Sequence, residues 1–322
     1  MINNLLGPAR HLPVTDAVPT VTVNPVTLPA PDRGLSLELR VTAPVSGRNL
    51  PVVLLSHGGG DMLYLPSKDG LSPLTDFYAA HGFAVIQPTH LSSRLGGFGL
   101  DPTSAGHPVF WRSRVEDFTL ILDNLLLIEA QAPAVAGRLD PARVAVVGHS
   151  GGAHTAAVLL GARVPDPDGG EPADLRDPRI TAGVLLAPTG GGERLTAGIR
   201  ARFPEFAVDF SHLTTRTLVV YGDADVNPDM FTGGADWHAE PYHRSPGADA
   251  LLTLVDGRHS LGGVVGYDAS STDDADPDRL AVTQRLTWAY LRSAFDADDP
   301  AWEHNRAALR EKVNALGHVQ TK

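Results

Sequence analysis

The chain has 322 residues, no cysteine and a formal net charge of -11 at pH 7. Without cysteine there is no disulfide, thiolate nucleophile or cysteine-held metal, and the negative charge argues against a nucleic acid or an anionic membrane as partner. No stretch reaches the roughly 18 consecutive apolar residues of a membrane span, and Met1–Pro8 has neither a basic start nor a signal-like apolar run, so the reading is a cytoplasmic protein with no integral membrane segment.

Residues 19–45 alternate apolar and polar side chains, as in Thr20-Val21-Thr22-Val23 and Leu35-Ser36-Leu37-Glu38-Leu39-Arg40-Val41, and predict a leading antiparallel pair of strands. From residue 51 short β-branched runs alternate with helical patterns, the sign of a largely parallel sheet with helices on both faces. Pro51–Leu55, Arg143–Val147, Thr217–Tyr221 and Leu251–Val255 read as buried strands. Helices are expected at about 72–81, 111–130, 152–162 and 278–296, with a last amphipathic one near 301–316, so 297–322 is read as a C-terminal helical segment. The expected whole is one domain, residues 1–322, with its core at about 50–296 and 1–49 as the leading strands. Pro165–Pro172 is a Pro- and Gly-rich surface excursion. The segments 91–110, 189–214 and 226–248 exceed ordinary connections and would roof a site. Phe98, Phe110, Trp111, Phe203, Phe206, Phe231 and Trp237 lie in them and would supply an apolar pocket or satellite core.

Gly148-His149-Ser150-Gly151-Gly152 stands between a predicted strand and a predicted helix. In G-x-S-x-G the turn is so tight that flanking positions tolerate almost no side chain, and the serine hydroxyl is pushed into the open. A serine is a weak nucleophile without a base and a group to orient that base. Gly222-Asp223-Ala224-Asp225 follows the third of the buried runs, and Asp256-Gly257-Arg258-His259 follows the fourth. An acid and then a histidine thus come just after successive strands, where the loops at the carboxyl ends of a parallel sheet meet the serine. Ser56-His57-Gly58-Gly59-Gly60, after the first run, is a glycine loop able to turn a backbone N–H toward the same spot.

With these residues in place the chain resembles the α/β-hydrolase superfamily over most of residues 50–296. The resemblance implies the α/β-hydrolase fold, a mostly parallel central sheet flanked by helices with loop insertions over the active site. It also implies Ser150 as nucleophile, His259 as base and Asp225 as orienting acid, since Gly222 to Asp225 matches the superfamily's Gly-x-x-Asp. Asp223 is the rival acid, otherwise a loop-capping carboxylate. Gly151 and, by similarity to Ser-His-Gly-x-Gly hydrolases, Gly59 would form the oxyanion hole. Leu55–Gly58, Tyr78–His90, Arg114–Phe118 and Leu122–Leu125 resemble the matching segments of dienelactone-hydrolase-like, chlorophyllase-like and platelet-activating-factor-acetylhydrolase-like enzymes. Several of those relatives carry a bulky or charged residue after the serine, where Gly151 stands here.

The expected activity is therefore hydrolysis of carboxylic esters, small or lipid-like, through an acyl-enzyme and with no cofactor. The alternative is a binding or receptor-type protein on the same fold with little turnover. A dinucleotide site is excluded by the absence of G-x-G-x-x-G with an acid about 20 residues on. Asp236, His238, Glu240 and His243 are zinc ligands by type but solvated loop residues by spacing, so no metal is expected. His149 and His154 are read as structural, because the base would approach Ser150 from the other side.

Overall fold

The structure, a computed structural model, describes residues 5–59, 65, 67–93, 107–166, 170–269 and 273–322. Gly60, Phe98 and 167–169 of the Pro-rich excursion lie outside them. Among the described residues nine strands form one sheet. They are β1 (Thr20–Leu28), β2 (Leu37–Pro44), β3 (Leu50–Ser56), β4 (Ala84–Pro88), β5 (Leu139–His149), β6 (Ile180–Leu186), β7 (Arg216–Gly222), β8 (Ala248–Leu254) and β9 (Gly317–Thr321). Their order is β1-β2-β4-β3-β5-β6-β7-β8-β9. The run from β4 to β8 is parallel throughout, and β1–β2, β2–β4 and β8–β9 are antiparallel. The molecule is thus an α/β protein with a mostly parallel sheet flanked by helices.

The central strands read as continuous apolar runs because both of their faces are covered. Alternate residues of β3 divide between two cores: Val52 and Leu54 point to one, Val53 and Leu55 to the other. The first core packs under helices α2 (Trp111–Asp123), α3 (Leu125–Gln131) and α4 (Gly151–Leu159), through Phe118, Ile128 and Val158. The second packs under α1 (Ser72–Ala80), through Leu74 and Tyr78. Two later helices share that second face: Leu286 and Trp288 come from Pro277–Phe295, and Trp302 and Leu309 from Ala301–Lys312. Each such side chain, fully buried, contributes roughly 1.5–3 kcal/mol relative to exposure. The helix at Pro277 starts sharply because Asp276 accepts a hydrogen bond from the Arg279 N–H and Pro277 presets the first φ.

Two expectations need correction. The helix expected at 111–130 is two helices, broken at Asn124. The Asn124 side chain donates to the Leu120 carbonyl at 2.9 Å and draws the backbone to φ -120°, a side-chain bond that competes with the helical ladder. The C-terminal helix ends at Lys312 rather than running to 316, and Gly317–Thr321 instead pairs antiparallel with β8. Gly317, Val319 and Thr321 follow a strand-like pattern that the preceding helical period masks. No helix among the described residues is long and apolar enough to cross a membrane.

Strand register brings the loop ends together. Ser56 at the end of β3 lies beside Gly148 near the end of β5, and Gly222 at the end of β7 lies beside Leu254 at the end of β8. Four loops therefore leave the carboxyl ends of neighbouring parallel strands, carrying Gly58–Gly59, Ser150, Asp225 and His259.

Candidate active site

At the end of β5 the chain turns into α4 within one residue. Ser150 sits at φ +55°, ψ -121°, a conformation rare for a residue with a side chain. Its surroundings hold it there: its N–H donates to the Leu186 carbonyl at 2.9 Å, and its own carbonyl accepts from Ala153 and His154. The flanking glycines are required by space. A Cβ on Gly148 would land on the Gly152 carbonyl, and one on Gly152 would land on the Ser56 carbonyl. Because both obstacles are backbone atoms, Gly152→Ala should force β3 and α4 apart. We expect a clear fall in melting temperature together with loss of any Ser150-dependent chemistry. A Gly152→Ala protein with unchanged melting temperature would show that this contact is soft.

Three residues predicted from sequence come together. His259 Nε2 stands 2.9 Å from Ser150 Oγ, and His259 Nδ1 stands 2.9 Å from Asp225 Oδ2. A carboxylate only accepts, so Nδ1 carries the proton and Nε2 accepts from the serine hydroxyl. Asp225 is buried, whereas the His259 side chain is 46% exposed and faces a cleft of about 620 Å³ lined also by His149, Val226 and Val265. Burial alone would raise the Asp225 carboxyl, but its hydrogen bond to His259 and the neighbouring histidines hold it below the usual carboxylate value. Asp223 does not reach the site. It is exposed and accepts a 2.7 Å bond from the Asp256 N–H, so it caps the loop that carries the histidine.

The glycine loop after β3 closes the other side. The Cβ position of Gly151 is 3.7 Å from the Gly59 nitrogen, and Gly59 itself is exposed with open space around it. A buried network unseen in the sequence fixes this loop. His57 Nδ1 donates to the Gly58 carbonyl at 2.7 Å, and its Nε2 accepts from the His90 N–H at 3.3 Å. Because C=O and N–H of a trans peptide point in opposite directions, holding the Gly58 carbonyl toward His57 turns the Gly59 N–H away from it. The Arg114 guanidinium donates to the His57 carbonyl and to Thr155 Oγ1, and Asp117 below it accepts from Arg33 and His90. Burial pushes the His57 and His90 pKa values well below the usual histidine value, so both rings are neutral.

His149 and His154 serve packing. His149 Nε2 donates to the His259 carbonyl at 2.7 Å, and His154 Nε2 donates to the Glu205 carbonyl at 3.0 Å. Burial pushes each of them down to about 4. Stability depends on pH as a result. Above the unfolded value of about 6.5 both states are neutral and folding takes up no proton. As pH falls from there to 4, only the unfolded chain binds the protons, and the folded state loses on the order of 3 kcal/mol per histidine. Asp117, raised to about 7 by burial, works in the opposite sense, as do Glu116 and Glu205, also raised by burial, but they stand against these two and the lowered His57, His81, His90 and His238. The melting temperature should therefore fall continuously between pH 6.5 and 4.5, and calorimetry showing a flat profile there would contradict it.

The four residues weighed as zinc ligands do not gather. Asp236 pairs with Arg194 at 2.9 Å, and Glu240 accepts from the Gly191 N–H and faces Arg194 and Arg244. His243, in the short helix Glu240–Arg244, packs its ring against Tyr242. His238 alone turns inward: it is buried, with Nε2 3.1 Å from Asp225 Oδ2, and the sequence carried no sign of that approach. Of the loop aromatics, Phe231 and Trp237 stack at 4.2 Å in a small buried cluster with Leu195. Phe110 is also buried. Trp111 and Phe206 are half-buried and flank His154, with Phe203 against Phe206.

No protein-family model matches the chain, and no curated protein matches it. The chemistry of the site therefore rests on its own geometry.

Proposed function

We propose that the protein is a serine hydrolase of the α/β-hydrolase type that cleaves carboxylic esters through an acyl-enzyme. The observation that carries this reading is the continuous line from Ser150 Oγ through His259 to Asp225, with 2.9 Å at each step, on a serine held at φ +55°. A hydroxyl, an imidazole acceptor and a buried carboxylate in that order give a general-base-activated nucleophile. The chain order Ser, Asp, His on successive strand ends of a mostly parallel sheet agrees with the same fold.

In this reading Ser150 Oγ attacks the ester carbonyl while His259 Nε2 takes its proton. Asp225 keeps Nδ1 protonated and offsets the charge that appears on the ring. The Gly151 and Gly59 N–H groups receive the developing oxyanion, with Gly59 aimed by the His57 hydrogen bond. His259 returns the proton to the leaving alcohol, and the acyl group stays on Ser150. Water, deprotonated by the same nitrogen, then releases the acid and restores the serine. The cleft beside His259 leaves the base open to solvent, where small or lipid-like esters would approach.

A fluorophosphonate probe and a series of p-nitrophenyl esters of rising chain length test the reading together. The expected result is one covalent label, on the peptide containing Ser150, and turnover that stops as labelling completes. A chain that neither labels nor turns over any ester would instead be a binding protein on this fold.

A further inference from the structure

His238 Nδ1 lies 2.5 Å from the Pro188 carbonyl oxygen. A carbonyl only accepts, so Nδ1 carries a proton. A neutral ring anchored in this way presents a lone pair at Nε2. That nitrogen is buried, makes no hydrogen bond, and stands 3.1 Å from Asp225 Oδ2. A lone pair facing a carboxylate in a water-poor interior is unfavourable, and a cation between them would satisfy both. A histidine whose outer N–H is anchored on a carbonyl while its other nitrogen is open is the arrangement in which imidazoles bind metals. A third donor is at hand: one atom each of Asp225, His238 and His259 lie within 4.8 Å of one another.

We propose that Asp225, His238 and His259 form an inhibitory site for a divalent transition metal, with zinc the best match. Two imidazoles, one carboxylate and a water make a four-coordinate set suited to zinc. With bonds of about 2.0–2.2 Å the donors stand roughly 3.3 Å apart. The 2.9 and 3.1 Å separations at Asp225 Oδ2 therefore need to open, and the two imidazole nitrogens, within 4.8 Å of one another, need to settle at the same spacing. The half-exposed His259 side chain allows that and gives the ion access.

Inhibition follows from the tautomer. When the metal takes His259 Nδ1, the proton on that nitrogen moves to Nε2 and the ring stays neutral. An Nε2–H cannot accept from Ser150, so the serine loses its base until the metal leaves. That the metal binds is independent of the ester-hydrolase reading; that it inhibits rests on it.

The full chain is titrated with zinc by calorimetry and with cobalt by visible absorption, and p-nitrophenyl acetate turnover is followed with zinc and then chelator. We expect one metal per chain, tetrahedral cobalt bands, and inhibition that chelator reverses. His238→Gln should weaken metal binding and raise the inhibition constant at least about tenfold, since even loss of a ligand's outer partner costs about 10–100-fold. His243→Ala should change neither. Binding or inhibition that survives His238→Gln, or the absence of stoichiometric binding, overturns the site. If His238→Gln and His238→Phe both fail to fold, nitrogen NMR of the unaltered protein decides: zinc must shift His238 Nε2, and an unmoved resonance refutes the proposal. A chain that binds cobalt through His238 yet turns over no ester keeps the metal site and loses the hydrolase.

Discussion

Ser150→Ala should abolish ester turnover and leave the protein folded. The hydroxyl is half-buried at the mouth of the site and its Oγ bonds His259, so its removal opens no large cavity. The backbone that holds residue 150 at φ +55° is tied by its N–H and carbonyl, not by the side chain. Nucleophile and base act as one unit, and a loss of 10³-fold or more is expected. The checks are steady-state turnover, circular dichroism and fluorophosphonate labelling of the same preparation. A folded variant that kept a substantial share of the activity would remove Ser150 from the role proposed for it.

Asp225→Asn should be nearly as damaging, with a loss on the order of 10⁴-fold in kcat, while Asp223→Asn should cost no more than a few-fold. An amide at 225 cannot offset the imidazolium charge, and its NH₂ group tends to turn His259 into the wrong tautomer. At 223 the carboxylate only accepts from the exposed Asp256 N–H, a contact worth on the order of 1 kcal/mol that an amide oxygen largely replaces. Comparing kcat for the two variants distinguishes the acids. Equal losses would mean that the acid function is shared or misassigned.

The parts of this arrangement that are legible in the amino-acid sequence are those written locally. Gly148 to Gly152 state a turn with a serine at its apex, and Gly222 to Asp225 state a spacing. The β-branched runs before them state that both sit at strand ends. What escapes is everything assembled across long separations. His57 and Arg114 are 57 residues apart and share a bond that leaves no periodic trace. His238 meets Asp225 only because the loop after β7 folds back over the strand that precedes it. Composition suggests zinc for His238 through its sequence neighbours, while its spatial neighbours are different residues. The strand Gly317–Thr321 is hidden for a simpler reason: a five-residue edge strand after a helix gives too few alternations to read.

The hydrogen bond from His149 to the His259 carbonyl joins the turn that bears the serine directly to the loop that bears the histidine. Their spacing is then set by two strand ends and one clasp. A change that displaces the turn at Ser150 is therefore passed directly to the loop at His259, and the reverse.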